Sequence, residues 1–298
     1  MTALFCKKPG GPTLRRYGAI ATAVILTTAL TLSSAKAAQI AHDDFDYGPG
    51  VSFSTNLIGG GTGWTSNWLQ TGVASYVTSG SGKSLDFNQL PGLVVDGSTH
   101  IWSESSKGNE RDFPGVSMVS ETLYFTMLLR DYGGGASLAD MRVQLHDGPG
   151  ASGNVRGTFG VDGGTLFATA SSGSYGSGDT EANAFATDTT YLLAAKRDAA
   201  GISVSLIYAD GLASTLAAEP VTWQVTEALA TGVEFESIRL LTNSSAANQG
   251  GGIRMDEIRI ATDWAGAVAG LPGVIPEPST LLLAGLAGLA MVARRRRS

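Results

Sequence analysis

The chain has 298 residues, 15% of them charged, with 40 glycines, a single cysteine and a formal net charge of −6. Its mean hydropathy is near zero, at +0.09. These values exclude a long disordered polyelectrolyte and a multi-span membrane protein, and the length suits one large all-β domain with tails.

The first 37 residues read as a secretory signal peptide. Lys7, Lys8, Arg15 and Arg16 form a basic start, residues 17–32 are apolar and uncharged, and Ala35-Lys36-Ala37 has the small-x-small form of a cleavage site. A signal helix cut by signal peptidase is therefore expected, with the mature chain starting at Ala38; the alternative is a permanent N-terminal anchor. Cys6 precedes the apolar run, so it does not form a lipobox. The mature chain then has no cysteine and is held by its core alone. Residues 38–275 carry 11 Lys and Arg against 25 Asp and Glu, a net charge of −14. An acidic exterior argues against nucleic acid and anionic lipid as partners, and suits an extracellular protein or one that collects divalent cations.

The body, residues 38–270, opens on an acidic stretch. Asp43, Asp44 and Asp46 are candidate calcium ligands, since an oxygen-rich loop suits a hard cation, although their spacing is not that of an EF-hand. The alternative is a solvated acidic lead into the first strand. Trp64 and Trp68 flank a polar, glycine-rich loop. They are the aromatic pair best placed to stack on a sugar ring, with Asn67 as a polar contact. The alternative for these, and for Trp102, Trp223 and Trp264, is packing in the core. Gly82-Lys83-Ser84 imitates the end of a P-loop, but Val77 stands where the motif needs glycine and no helix signal follows.

Short β-rich runs follow at 122–130, 141–146, 157–161, 191–197, 202–208, 237–242 and 253–261. Ile202, Val204 and Leu206 alternate with Ser203 and Ser205, the period-2 signature of a half-buried strand. Residues 198–201, Asp-Ala-Ala-Gly, read as the hairpin turn before it, with glycine at a left-handed position. Residues 226–230 and 263–268 are candidate single helical turns. No long amphipathic helix and no fixed-period repeat is present, so the expected architecture is an antiparallel β-sandwich.

Enzymatic patterns are sparse, and no catalytic residue is assigned. Glu234-Phe-Glu236 places two carboxylates at alternating positions, but Ile238 holds the next place, where a glycan-cleaving strand would carry a third carboxylate. His42, His100 and His146 are dispersed, which argues against zinc, and no G-x-S-x-G elbow occurs. Residues 186–191, ATDTTY, form one isolated threonine cluster, where an ice- or mineral-binding surface would need a regular array. In the closing run, alternation puts Asp256, Ile258 and Ile260 on one face and Glu257 and Arg259 on the other. A carboxylate on an apolar face needs a partner. Asp256 is thus a candidate cation or sugar contact, or a structural carboxylate held by backbone.

The chain ends VIPEPSTLLLAGLAGLAMVARRRRS. Residues 279–293 would form a helix of roughly 22 Å, shorter than the ~30 Å bilayer core, with Arg294, Arg295, Arg296 and Arg297 on the cytoplasmic side. Pro276-Glu277-Pro278, the short apolar run and the arginines resemble the PEP-CTERM sorting signal of Gram-negative bacteria. That resemblance implies that residues 271–298 are a sorting segment with a short transmembrane helix. It also implies that exosortase reads Pro276, Glu277 and Pro278 and removes the tail, and that the producing bacterium makes exopolysaccharide. DDFDYGPG (43–50) with GGGTGWTSNW (59–68), and GGIRMDEIRIATDW (251–264), are similar to the opening and closing edges of concanavalin A-like, laminin-G-like jelly rolls. Such bodies bind sugars, cut sugars or present a surface. The expectation is a membrane-anchored precursor that becomes a cell-surface or biofilm-matrix protein, either binding extracellular polysaccharide or structural, with a glycan-cleaving enzyme or an ice or mineral binder as alternatives.

Overall fold

The structure is a computed structural model that describes residues 39–45, 59–71, 75–79, 99–103, 107–117, 121–131, 140–149, 154–170, 178–182, 184, 186, 189–208, 216, 218–228, 234–242, 253–269 and 271. The chain divides into two units, residues 1–36 with 278–298 and residues 37–277. The signal helix, Asp46, Pro276, Glu277, Pro278 and the terminal arginines lie outside the described residues. Among the described residues no helix is long and apolar enough to cross a membrane.

The body is the expected antiparallel β-sandwich. Its strands are β1 (Gln39–Asp43), β2 (Leu69–Thr71), β3 (Ser75–Ser79), β4 (Thr99–Ser103), β5 (Lys107–Ser117), β6 (Leu123–Asp131), β7 (Met141–His146), β8 (Val155–Asp162), β9 (Thr165–Thr169), β10 (Asp179–Glu181), β11 (Thr190–Arg197), β12 (Ile202–Tyr208), β13 (Val225–Glu227), β14 (Glu234–Thr242) and β15 (Ile253–Ala261); one helical turn, α1 (Trp264–Ala267), follows. The first sheet runs β13-β12-β11-β6-β15-β4-β3, with β1 also on β15, and the second runs β10-β9-β8-β7-β14-β5-β2. This two-sheet antiparallel body is the jelly-roll type that the concanavalin A-like resemblance implied.

Alternation places the core between the sheets. Phe125, Met127 and Leu129 of β6, Leu193 of β11 and Ile202 and Val204 of β12 meet Val143 and Leu145 of β7, Phe159 of β8 and Ile238 and Leu240 of β14. Each such side chain, fully buried, contributes about 1.5–3 kcal/mol before entropy is counted. The intervening residues Tyr124 and Leu128 of β6 and Leu192 and Ala194 of β11 form a second apolar layer under α1. Asp263 caps α1, its Oδ1 accepting from Gly266 N at 2.7 Å. Trp264 is buried there, donating from Nε1 to the Leu216 carbonyl, with Trp223 edge-on to its ring.

Two sequence expectations are corrected. Residues 225–227 are a strand, because Val225 pairs with Val204 in register and its side chain enters the core. In β15 a bulge between Asp256 and Arg259 resets the alternation. Met255, Ile258 and Ile260 therefore all reach the main core. Asp256 pairs with Leu128, which faces the outer layer, so it does not share a face with Ile258 and Ile260. Glu257 takes φ 54°, a left-handed conformation uncommon for a residue with a side chain. The hairpin at 198–201 closes through Asp198 N to Gly201 O at 3.1 Å, with Gly201 at φ 155°.

Candidate functional site

The opening acidic stretch and the glycine-rich loop come together at one edge of the sandwich. Asp43 of β1 and Arg111 of β5 stand on different sheets, paired in register with Ile258 and Ile238, so both point into the space between. Asp43 is 0% and Arg111 3% exposed. Asp43 Oδ2 accepts from Arg111 Nη1 and from Trp68 Nε1 at 2.8 Å, and Oδ1 accepts from the Phe45 amide at 2.9 Å. Arg111 also donates into the loop, from Nε to the Ser66 carbonyl at 3.0 Å and from Nη2 to the Gly60 carbonyl at 2.6 Å. The guanidinium lies 4.6 Å from the Trp64 ring centroid and 5.5 Å from that of Trp68. One arginine thus joins the two sheets and fixes both ends of the loop.

The loop itself is pinned to β1. His42 and Thr62 exchange backbone hydrogen bonds at 2.9 and 2.8 Å, and Trp64 Nε1 donates to the His42 carbonyl at 2.9 Å. Gly61 and Gly63 take φ of 68° and 78°, and a Cβ on either would run into the β1 backbone, at the His42 and Ile40 carbonyls. Gly63→Ala is expected to cost about 1–3 kcal/mol, read as a lower midpoint of thermal unfolding.

Above this clamp lies an open depression of about 450 Å³, lined by Gly59, Gly60, Gly61, Gly63, Trp64, Thr65, Ser66, Asn67 and Arg111. Trp64 is half-buried at its edge and Asn67 is exposed. The exposed Asn67 side chain and the backbone of the glycines border it beside an aromatic edge. Trp68 does not line it: it is 1% exposed and packs against Trp64 and Phe45, with ring centroids 5.7 and 5.9 Å away. Its role is to back the site and hold Asp43. Arg111 is the residue that the sequence reading passed over. The segment Lys107–Ser117 carries no strand pattern in the sequence, so no local signal marks Arg111.

The structure places the remaining expected residues elsewhere. Both carboxylate oxygens of Asp43 are engaged by Arg111, Trp68 and the Phe45 amide, an environment for a neutralised anion and not for a calcium ligand. Asp44 is half-buried beside Arg259, whose charge it influences. Among the described residues no three His, Cys, Asp or Glu side chains form a metal-binding group. Asp256 is fully buried, its Oδ1 accepting from the adjacent Glu257 amide at 2.8 Å within the bulge. This is the structural-carboxylate reading, and it separates Asp256 from the depression's lining. Next to it, Glu257 Oε2 binds Arg259 Nη2 at 2.6 Å and His42 Nε2 at 2.9 Å. Burial, the largest influence on the Glu257 carboxyl, works to raise its pKa. The His42 hydrogen bond and the Arg259 charge outweigh it, and the net shift is downward.

The possible catalytic pair is not realised as spaced: a bulge between Phe235 and Ser237 interrupts the alternation of Glu234 and Glu236. Among the described residues threonines form no regular ladder. Thr158 faces Thr169 across one strand pair, and Thr190 is buried at the start of β11.

Comparison with known proteins gives a class for the tail and a likeness for the body. Residues 274–297 match the PEP-CTERM protein-sorting motif. That motif indicates a secreted protein, membrane-anchored before processing, in Gram-negative bacteria. No curated protein sequence matches the chain. Among solved structures, an alginate lyase of polysaccharide lyase family 7 is similar at 12% identity, with 50% of this chain and 65% of that chain covered and a TM-score of 0.32. This chain therefore spans about two-thirds of that enzyme's length. The Ca²⁺-bound exoplasmic/lumenal domain of VIP36 is similar at 12% identity, with 71% and 90% covered and a TM-score of 0.41. The metal-free carbohydrate recognition domain of Emp46p is similar at 9% identity, with 65% and 88% covered and a TM-score of 0.39.

Proposed function

We propose that this protein is a cell-surface or exopolysaccharide-matrix protein that binds extracellular glycan in the depression edged by Trp64 and Asn67. The observation that carries this reading is the pairing of an aromatic edge with exposed amide and backbone groups on a loop held rigid by a buried ion pair. A sugar presents an apolar C–H face and a ring of hydroxyls, and such a site answers both. Rigidity matters because a loop ordered before binding does not lose entropy on binding. Export delivers the body to the compartment where such polymers lie. Signal peptidase and exosortase are the processing partners, acting at residues 35–37 and at Pro276, Glu277 and Pro278.

The test is co-sedimentation of the mature secreted protein with exopolysaccharide from the producing organism, with and without chelator. Saturable binding is expected, and Trp64→Ala and Asn67→Ala should each weaken it about tenfold, equivalent to about 1.4 kcal/mol. Binding should survive chelation, because Asp43 is committed to Arg111; loss on chelation would return calcium to Asp44 and Asp46. Unchanged binding in both folded variants, or none in the wild type, overturns the assignment of the depression.

A further inference from the structure

The groups around the depression differ in what they leave for a ligand. Thr65 and Asn67 are exposed, and Trp64 and Ser66 are half-buried. Trp64 has its indole N–H committed to the His42 carbonyl, so the rim of its ring presents carbon. Asn67 is set in place by Gly59. A Cβ on that glycine would collide with the Asn67 side chain at Oδ1 and Cγ, so the glycine lets the amide lie across the mouth of the loop. The rim therefore carries an aromatic edge, one side-chain amide and two hydroxyls, all of them uncharged.

Arg111 is the one lining residue with a charge, and that charge is already matched. Its guanidinium is buried, paired with Asp43, bonded to the Ser66 and Gly60 carbonyls and laid over the Trp64 ring. A second acidic residue stands at the same junction. The Thr65 amide donates to the Asp112 carbonyl at 3.0 Å, and the Asp112 amide donates to Ser66 Oγ at 2.9 Å. Around the loop, one cation, Arg111, thus stands against two carboxylates, Asp43 and Asp112. The body as a whole carries a net charge of −14. An anionic ligand would approach against that field and lose water at a place with no surplus positive charge. An uncharged ligand meets neither obstacle.

Resting on the reading of the depression as a glycan site, we infer that its ligand is a neutral polysaccharide, one whose sugar units there carry no carboxylate, sulfate or phosphate. The apolar C–H face of such a unit lies against the carbon edge of Trp64. Its hydroxyls meet Asn67, Thr65 and Ser66, which can both donate and accept. The depression's 450 Å³ falls within the roughly 300–1,000 Å³ of small-molecule sites. No charge pair forms across the interface, so affinity is insensitive to salt, whereas an acidic polymer held by cations would be released by it. The buried ion pair acts as a structural clamp, and the selectivity comes from the uncharged rim above it.

The test separates the producing organism's exopolysaccharide by anion exchange into neutral and acidic fractions. Binding of each to the mature secreted protein is measured by calorimetry at low and at high salt. The neutral fraction is expected to bind equally at both. Asn67→Ala should weaken that binding about tenfold and Thr65→Ala about threefold. Both side chains are exposed, so the thermal midpoint should stay unchanged, and Trp64, which Arg111 packs against, is left intact. Binding of the acidic fraction that Asn67→Ala weakens, or loss of the neutral fraction at high salt, overturns the inference and leaves the depression as a glycan site. If neither fraction's binding responds to Asn67→Ala or Thr65→Ala, the depression is not the site, and both readings fall.

Discussion

Replacing Arg111 by alanine is expected to destabilise the protein by about 3–5 kcal/mol. The substitution removes the cation paired with the Asp43 carboxylate, which is fully buried in the wild type. It also frees the Ser66 and Gly60 carbonyls from the group that gathers them. Asp43→Asn should cost a similar amount by leaving Arg111 charged and buried. The double variant Asp43→Asn/Arg111→Met should be more stable than either single variant, since neither buried charge remains. Denaturant unfolding of the four proteins checks this. Additive losses would mean that the two residues do not act as a pair.

The second large effect is at Glu257, where charge and backbone geometry oppose each other. Glu257→Ala removes the carboxylate that Arg259 and His42 share and should cost about 3–5 kcal/mol. Glu257→Gly loses the same contacts but relieves the left-handed backbone at φ 54°, so it should be about 1 kcal/mol less harmful than alanine. In an ordinary strand position that order is reversed, which makes the pair diagnostic. Because the folded pKa of Glu257 is depressed, its contribution is fully present above the unfolded value of about 4.3 and fades as pH falls through the folded value. Stability measured between pH 7 and pH 3 should therefore fall less steeply in Glu257→Gln than in the wild type.

What could be read from the sequence followed the strength of local signals. Strands β6, β7, β8, β11, β12, β14 and β15 are rich in β-branched, aromatic and leucine residues, which marks them as strands, and in β12 the alternation of Ile202, Val204 and Leu206 with Ser203 and Ser205 also gives the core face. Strand β5, Lys-Gly-Asn-Glu-Arg-Asp-Phe-Pro-Gly-Val-Ser, reads as a loop, yet pairing with β14 and β2 makes it a strand, and Pro114 is accommodated in its bulge. The short polar strands β2, β10 and β13 are likewise made by their neighbours. The sorting motif is a linear address and is read without a fold. Asp256 was placed on the wrong face because nothing in Met-Asp-Glu-Ile announces a bulge, and glutamate does not advertise a positive φ. Trp64 and Asn67 were chosen from their loop and do line the depression, whereas Trp68 differs from Trp64 only in which side of the chain it leaves. The Asp43–Arg111 pair spans 68 residues of sequence and two sheets, so no local pattern could disclose it.

The most direct test of the central claim is amide hydrogen exchange of the mature secreted protein with and without saturating exopolysaccharide from its producer. Slowed exchange confined to residues 59–67, and absent in Trp64→Ala, is the result expected of a glycan seated in the depression. Saturable binding with exchange at 59–67 unaltered would contradict it.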